Sequence, residues 1–364
     1  MSLTTYYTLG RTGLRVSPLC LGAMTFSSVG YGIGEDNSRA IFDRYVDAGG
    51  NFIDTADGYG GGESERLVGK FINGAGLRNR MVIATKFSFC AEPGNPNAGG
   101  NNRKNILRAL EGSLQRLGTD YIDLYILHNW DQLTPAEEVI RTLDEVVRSG
   151  KARYIGISNT PAWYAARLQT LALERNLEPV SSMQLEYSLL QRDIEREHLP
   201  LAQELGMGVT AWSPLSGGLL TGKYFQDGGR GDDIAGRLNK IPSSMPLYQR
   251  TERARAIEGE LRAVAGELGE PMTRVAINWV ANRPGVASVL VGASNPNQFE
   301  ESVTALDFTL PAELSARLTA ASQPDTLYPY YMQAPAFNGV IHGGTRLASK
   351  PEGYHRETRI GFDD

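Results

Sequence analysis

Short apolar runs recur along the chain, each followed by a longer stretch whose apolar positions return every three or four residues. The runs are PLCLGAM, NFIDTA, MVIATKF, YIDLYILH, ARYIGIS, SSMQLEYS, GVTAWSP and ASVLVGAS. Continuous apolar runs of this length between turn residues read as strands buried on both faces. The intervening SRAIFDRYVDAGG, RKNILRALEGSLQRLGTD and PAEEVIRTLDEVVRSGKA have helical spacing and end near Gly. Strand then helix, repeated, argues for parallel strands. Eight such units predict an α/β fold, a (β/α)8 TIM barrel, with its site at the C-terminal strand ends. Asp54, Lys86, His128, Ser158, Gln184 and Trp212 mark those ends, separated by 32, 42, 30, 26 and 28 residues, each enough for one βα unit.

Three stretches depart from the repeat. Residues 5–17, TYYTLGRTGLRVS, place Gly10 and Gly13 around a basic turn between short β-like runs, which predicts an N-terminal β-hairpin plugging the bottom of the barrel. From Trp212 to Gly292 there are 80 residues, and the segment GGLLTGKYFQDGGRGDDIAGRLNKIPSSMPLY reads as a long functional loop. The chain therefore divides into a barrel over residues 1–323 and a C-terminal tail over 324–364 that is rich in aromatics and poor in periodicity. That tail is expected to serve as a lid over the barrel mouth, as a subunit interface, or as packing on the barrel.

Composition narrows the function. Hydrophobic residues make up 41% of the 364, enough for one large core, and no apolar run reaches the roughly 18 residues of a membrane span. A net charge of −5 with interspersed signs offers no stripe for nucleic acid. Cys20 and Cys90 make neither a disulfide framework nor a metal-ligand spacing, and the start lacks a basic segment followed by an apolar one. The expectation is a soluble cytoplasmic protein acting on a small molecule, with no metal.

The candidate chemistry lies at four strand ends. Tyr59 can donate or accept a proton, and an ammonium at Lys86 would favour its phenolate. Asp54 can hold that ammonium, and His128 can hydrogen-bond a substrate oxygen. Together these suit carbonyl reduction. Met24, Phe87 and Trp130, just past strand ends, either line a hydrophobic carbonyl pocket with Tyr59 and His128 or pack in the core.

NFIDTADGYG, the Thr-Lys and Leu-His strand ends, Ser-Asn, QLEYS, AWSPLSGGLLTGKY and VGASNPNQFEES, in this order and spacing, resemble the aldo-keto reductases over residues 5–322. GASNPNQ is most similar to the branch holding the β subunits of voltage-gated potassium channels and their bacterial relatives. The resemblance implies hydride transfer from NADP(H), bound without a Rossmann motif, to an aldehyde or ketone, with Tyr59 as proton donor tuned by Lys86 and Asp54. It also implies contacts from Gly22, Ala23, Met24 and Asp54, carboxamide contacts from Ser158, Asn159 and Gln184, and stacking by Trp212 on the nicotinamide. The pyrophosphate would meet Ser213, Pro214, Leu215, Gly217, Gly218, Leu219 and Lys223. Arg237, Gly292, Ala293, Ser294, Asn295 and Gln298 would serve the 2′-phosphate end, and Glu301 and Ser302 the adenine. Ser294 stands where many relatives have an arginine. The branch leaves a second reading open, a cofactor-binding regulatory subunit with slow or no turnover, and allows a homo-oligomer.

Overall fold

The protein is described by a computed structural model over residues 2–225, 248–333, 335–343 and 345, so Arg237 lies outside the described residues. The chain forms two compact units, residues 1–322 and 323–364. The first opens on an antiparallel pair, β1 (Tyr7–Thr8) and β2 (Arg15–Val16), joined through the predicted turn. Gly10 has φ +60°, and a Cβ there would stand 2.5 Å from the Gly206 carbonyl oxygen. Only glycine fits that approach.

Eight parallel strands follow: β3 (Leu19–Gly22), β4 (Phe52–Asp54), β5 (Val82–Phe87), β6 (Ile122–Leu127), β7 (Ala152–Ser158), β8 (Val180–Glu186), β9 (Gly208–Trp212) and β10 (Val286–Val291). They close in sequence order, with β10 pairing back onto β3. All eight predicted strands are present. Six helices separate the strands from β3 to β9: α1 (Glu35–Asp47), α2 (Glu63–Gly74), α3 (Arg103–Leu117), α4 (Ala136–Arg148), α5 (Ala162–Glu174) and α6 (His198–Leu205). The long interval before β10 holds α7 (Glu252–Leu268) and α8 (Met272–Ala281), and α9 (Pro296–Val303) and α10 (Ala312–Ala321) complete the unit. Among its described residues the second unit has a 3-10 turn, Tyr330–Gln333, and α11 (Pro335–Ile341).

Side-chain alternation along the strands sorts the core into two layers. Ile83 and Phe87 of β5, Tyr125 and Leu127 of β6, and Ile155 and Ile157 of β7 belong to the large cluster under the helices. Their neighbours Val82, Ala84, Leu124 and Ile126 belong to a small cluster inside the barrel, with Phe52, Cys20 and the hairpin residues Leu9 and Val16. Leu9 and Val16 are fully buried, each worth roughly 1.5–3 kcal/mol of burial. The hairpin is the barrel's floor. Among the described residues no helix is long and apolar enough to cross a membrane.

Candidate active site

The inward-facing rows of the barrel end in charge. Phe52 is followed two residues later by Asp54, Val82 and Ala84 by Lys86, and Leu124 and Ile126 by His128. Period-two alternation therefore carries three functional side chains to the same interior, above an apolar column. Lys86 is fully buried and its ammonium reaches Asp54 Oδ1 at 2.5 Å, the Thr55 carbonyl at 2.7 Å and Tyr59 Oη at 3.4 Å. Those three acceptors match its three protons. Asp54 Oδ2 accepts from Gln184 Nε2 at 2.8 Å, so both carboxylate oxygens are held. Burial pulls the Lys86 ammonium down, but Asp54 and Tyr59 outweigh it and raise its pKa.

Tyr59 begins a short 3-10 turn, Tyr59–Gly62, in which Gly60, Gly61 and Gly62 all have positive φ. Three left-handed residues in a row require glycine, and they fold the chain back into α2 directly after the tyrosine. The Tyr59 and His128 rings meet edge to face with centroids 5.7 Å apart. Burial, then Lys86, push the His128 pKa down to about 2, so the imidazole is neutral near pH 7. Its Nδ1 is buried without a hydrogen-bond partner among the described residues. The arrangement offers an acid–base phenol beside an ammonium and a neutral imidazole able to donate to an oxygen.

Around this centre the structure corrects part of the pocket expectation. Phe87 is fully buried in the helix-facing layer, its ring 4.8 Å from Tyr125, because it stands one residue out of phase with Lys86. It lines no pocket. Trp130 sits in a separate ring cluster, 5.4 Å from Trp163 and 5.9 Å from Tyr164, and Met24 is half-buried.

Several of the described residues expected to meet a cofactor stand at the C-terminal ends of β3, β7, β8 and β9. Gly22 and Ala23 lead off β3, and the Ala23 N–H donates to the Asp54 carbonyl. The Ser158 hydroxyl and the Trp212 indole N–H are buried without partners among the described residues, while Asn159 Nδ2 donates to the His128 carbonyl. With Gln184 Nε2 engaged by Asp54, Gln184 and Asn159 keep their amide oxygens as acceptors. Ser213, Ser216, Gly217 and Gly218 all have positive φ in the turn that includes Pro214, Leu215 and Leu219. Lys223 Nζ lies 5.0 Å from the Tyr224 ring centroid. Gly292 and Ala293 lead into α9, where Asn295 caps the helix by accepting from the Gln298 N–H and Gln298 Oε1 accepts from the Ser294 N–H at 3.2 Å. Glu301 is half-buried. Ser302 is buried and its hydroxyl donates to the Gln298 carbonyl of its own helix. The orphaned hydroxyl and indole N–H beside a left-handed turn suit a polar, flat-headed, phosphorylated ligand.

Sequence reasoning missed the residues that brace this end. Ser88, at φ +127°, accepts from the backbone N–H groups of His128 and Asn129 and donates to Asn101 Oδ1 at 2.6 Å. A non-glycine residue there costs on the order of 1–3 kcal/mol, held by those bonds. It delivers Phe89 against His128, centroids 4.4 Å apart. Asp57, whose N–H donates to the Lys86 carbonyl at 3.1 Å, has its pKa raised to about 7 by burial and then by Glu65, which Arg116 and Thr85 hold at 2.5 and 2.6 Å.

Fold and site together define a (β/α)8 barrel with a Tyr-Lys-Asp-His cluster at the C-terminal strand ends. The chain belongs to the Aldo/keto reductase family, whose family model matches residues 18–323. It is 39% identical over 320 residues to the uncharacterized oxidoreductase YrpG of Bacillus subtilis, covering 85% of this chain and 93% of that one. It is 34% identical to the aryl-alcohol dehydrogenase GME11368 of Pestalotiopsis microspora, over 91% of this chain and 84% of that one. It is 37% identical to a probable voltage-gated potassium channel subunit beta of Oryza sativa subsp. japonica, over 83% of this chain and 91% of that one.

Proposed function

We propose that the protein is a cytoplasmic NADPH-dependent reductase of small aldehydes or ketones in which Tyr59 delivers the proton. The observation that carries this is the Lys86 ammonium shared between Asp54 and Tyr59 Oη at the C-terminal strand ends of the barrel. Bound there, NADPH would supply the hydride. The chain's part is orientation and charge. Neutral His128 donates to the carbonyl oxygen and fixes its direction. Tyr59 gives that oxygen its proton as negative charge develops, and Lys86 stabilises the phenolate left behind. Asp54 keeps the ammonium in place, itself aligned by Gln184.

On the cofactor, Ser158 and the amide oxygens of Asn159 and Gln184 would engage the carboxamide, with Trp212 against the ring. The left-handed turn around Gly217 and Gly218 would bring backbone N–H groups to the pyrophosphate, and Lys223 would add charge. Ser294 and Gln298 at the α9 N-terminus would favour the 2′-phosphate. Membership of the family and relatives named as an aryl-alcohol dehydrogenase and norsolorinic acid reductases support the chemistry.

The test is oxidation of NADPH and of NADH with 4-nitrobenzaldehyde, followed by the loss of reduced-nicotinamide absorbance, wild type beside Tyr59→Phe. NADPH turnover that falls by roughly 10² to 10⁴ in the variant, with cofactor binding kept, is expected. NADPH binding without turnover by the wild type would overturn it in favour of a cofactor-bound regulatory subunit.

A further inference from the structure

We infer that Phe89 is the specificity-determining wall of the acceptor site and selects planar, π-conjugated carbonyl compounds over saturated ones of the same size, an inference resting on the reductase reading above. Phe89 is 48% exposed, although one ring neighbour is the buried His128 at 4.4 Å and 45°. Isolated surface aromatics are ordinary. This one is neither isolated nor loosely placed. A Cβ on Gly58, the residue before Tyr59, would stand 4.0 Å from Phe89 Cδ2, so the ring spans from His128 to the start of the Tyr59 turn. Tyr59 closes the arc, edge to face with His128. Three rings thus surround the place where an oxygen accepts from Tyr59 and His128, and the outermost has an uncovered face.

The backbone beneath the ring is held for that purpose. Ser88 keeps φ +127° only while its side chain bonds to Asn101 and to the N–H groups of His128 and Asn129, and its carbonyl accepts from Gly100 at 2.7 Å. The same bonds that fix the backbone of His128 therefore fix the origin of Phe89, so the wall and the carbonyl-orienting residue move as one. A flat acceptor laid on Phe89 gains an offset or edge-on ring contact that depends on its π system. A saturated ring of equal size gains apolar burial but not that contact.

The experiment compares kcat/KM for benzaldehyde and cyclohexanecarbaldehyde with NADPH in wild type, Phe89→Leu and Phe89→Tyr. Leu keeps apolar bulk without a ring; Tyr keeps the ring. The aryl-over-cyclohexyl ratio is expected to fall roughly 3- to 10-fold in Phe89→Leu, the size of one lost ring pair, mainly through KM, and to stay within about twofold of wild type in Phe89→Tyr. An unchanged ratio in Phe89→Leu, whatever the absolute rates, overturns the inference and leaves the reductase standing. Should wild type fail to reduce either aldehyde, the same ratio is read from dissociation constants of benzyl alcohol and cyclohexylmethanol on the NADP-loaded protein by tryptophan fluorescence. A ratio that falls there keeps Phe89 as the selector while the reductase reading fails; binding of neither compound sinks both.

Discussion

The two ends of the barrel interior are built by the same strands and share almost nothing else. At the bottom, Leu9 and Val16 of the hairpin meet Phe52, Val82 and Leu124 in a buried apolar cluster. One or two pairs of residues further along β4, β5 and β6, the same inward rows hold Asp54, Lys86 and His128. The bottom is stabilised by removing surface from water; the top keeps a buried charge pair that burial alone would expel. Buried ions break even at best against apolar side chains of their size. The top therefore spends stability that the bottom supplies, and mutations at the two ends should fail differently.

The largest separation is expected from Lys86→Met. It removes the ammonium from Tyr59 and leaves the Asp54 carboxylate buried with only Gln184 and no cation. Reductase activity should fall by roughly 10² or more, and stability by about 3–5 kcal/mol. Denaturant unfolding beside the NADPH assay reads both, and a fully stable Lys86→Met protein would show that the pair is not the cost it is taken for here. Leu9→Ala is the mirror experiment. It opens a cavity in the floor, at about 2–5 kcal/mol, without touching any residue of the cluster above. Its kcat should remain near wild type at temperatures where it is folded; a large loss of kcat would mean that the floor sets the geometry of the top.

This contrast was largely legible in the sequence, and its exceptions are instructive. All eight strands announced themselves as apolar runs, and the hairpin as a Gly-punctuated segment, because buried parallel strands and tight turns restrict residue type locally. Asp54, Lys86 and His128 stood out because a charged residue ending an apolar run is itself a local signal. For Phe87 the sequence left pocket lining and core packing open, and alternation, which puts neighbours on opposite faces, decides for the core. Phe89 was missed for a different reason. Its position depends on Ser88 at φ +127°, which no local pattern announces, since the bonds that hold it come from Asn101, His128 and Asn129. Gln184 bonds Asp54 from 130 residues away, and its engagement there belongs to barrel closure. The Asp57–Glu65–Arg116 group likewise joins a turn and two helices that only the fold brings together.

The finest test of the comparison uses two titrating groups of the upper end whose effects on stability have opposite signs. His128 has an ordinary pKa of 6.5 when unfolded and about 2 when folded, because burial and then Lys86 oppose its charge. Below pH 6.5 the unfolded chain takes up a proton that the folded one refuses, so this group lowers stability as pH falls. Asp57 has an ordinary pKa of 3.8 and a folded one of about 7, because burial and then Glu65 oppose its ionisation. Between those values the folded chain keeps a proton that the unfolded one releases, so this group lowers stability as pH rises. Across about pH 4.5 to 6.5 each contributes a slope of at most ~1.4 kcal/mol per pH unit, and the two largely cancel. Removing one should expose the other. Relative to wild type, the stability of His128→Gln should decline as pH is raised from 4.5 to 6.5, and that of Asp57→Asn should climb, as followed by denaturant midpoints across that range. Curves that stay parallel to wild type in both variants would mean that neither group titrates differently in the folded protein. The upper end would then be far more open to water than its burial indicates.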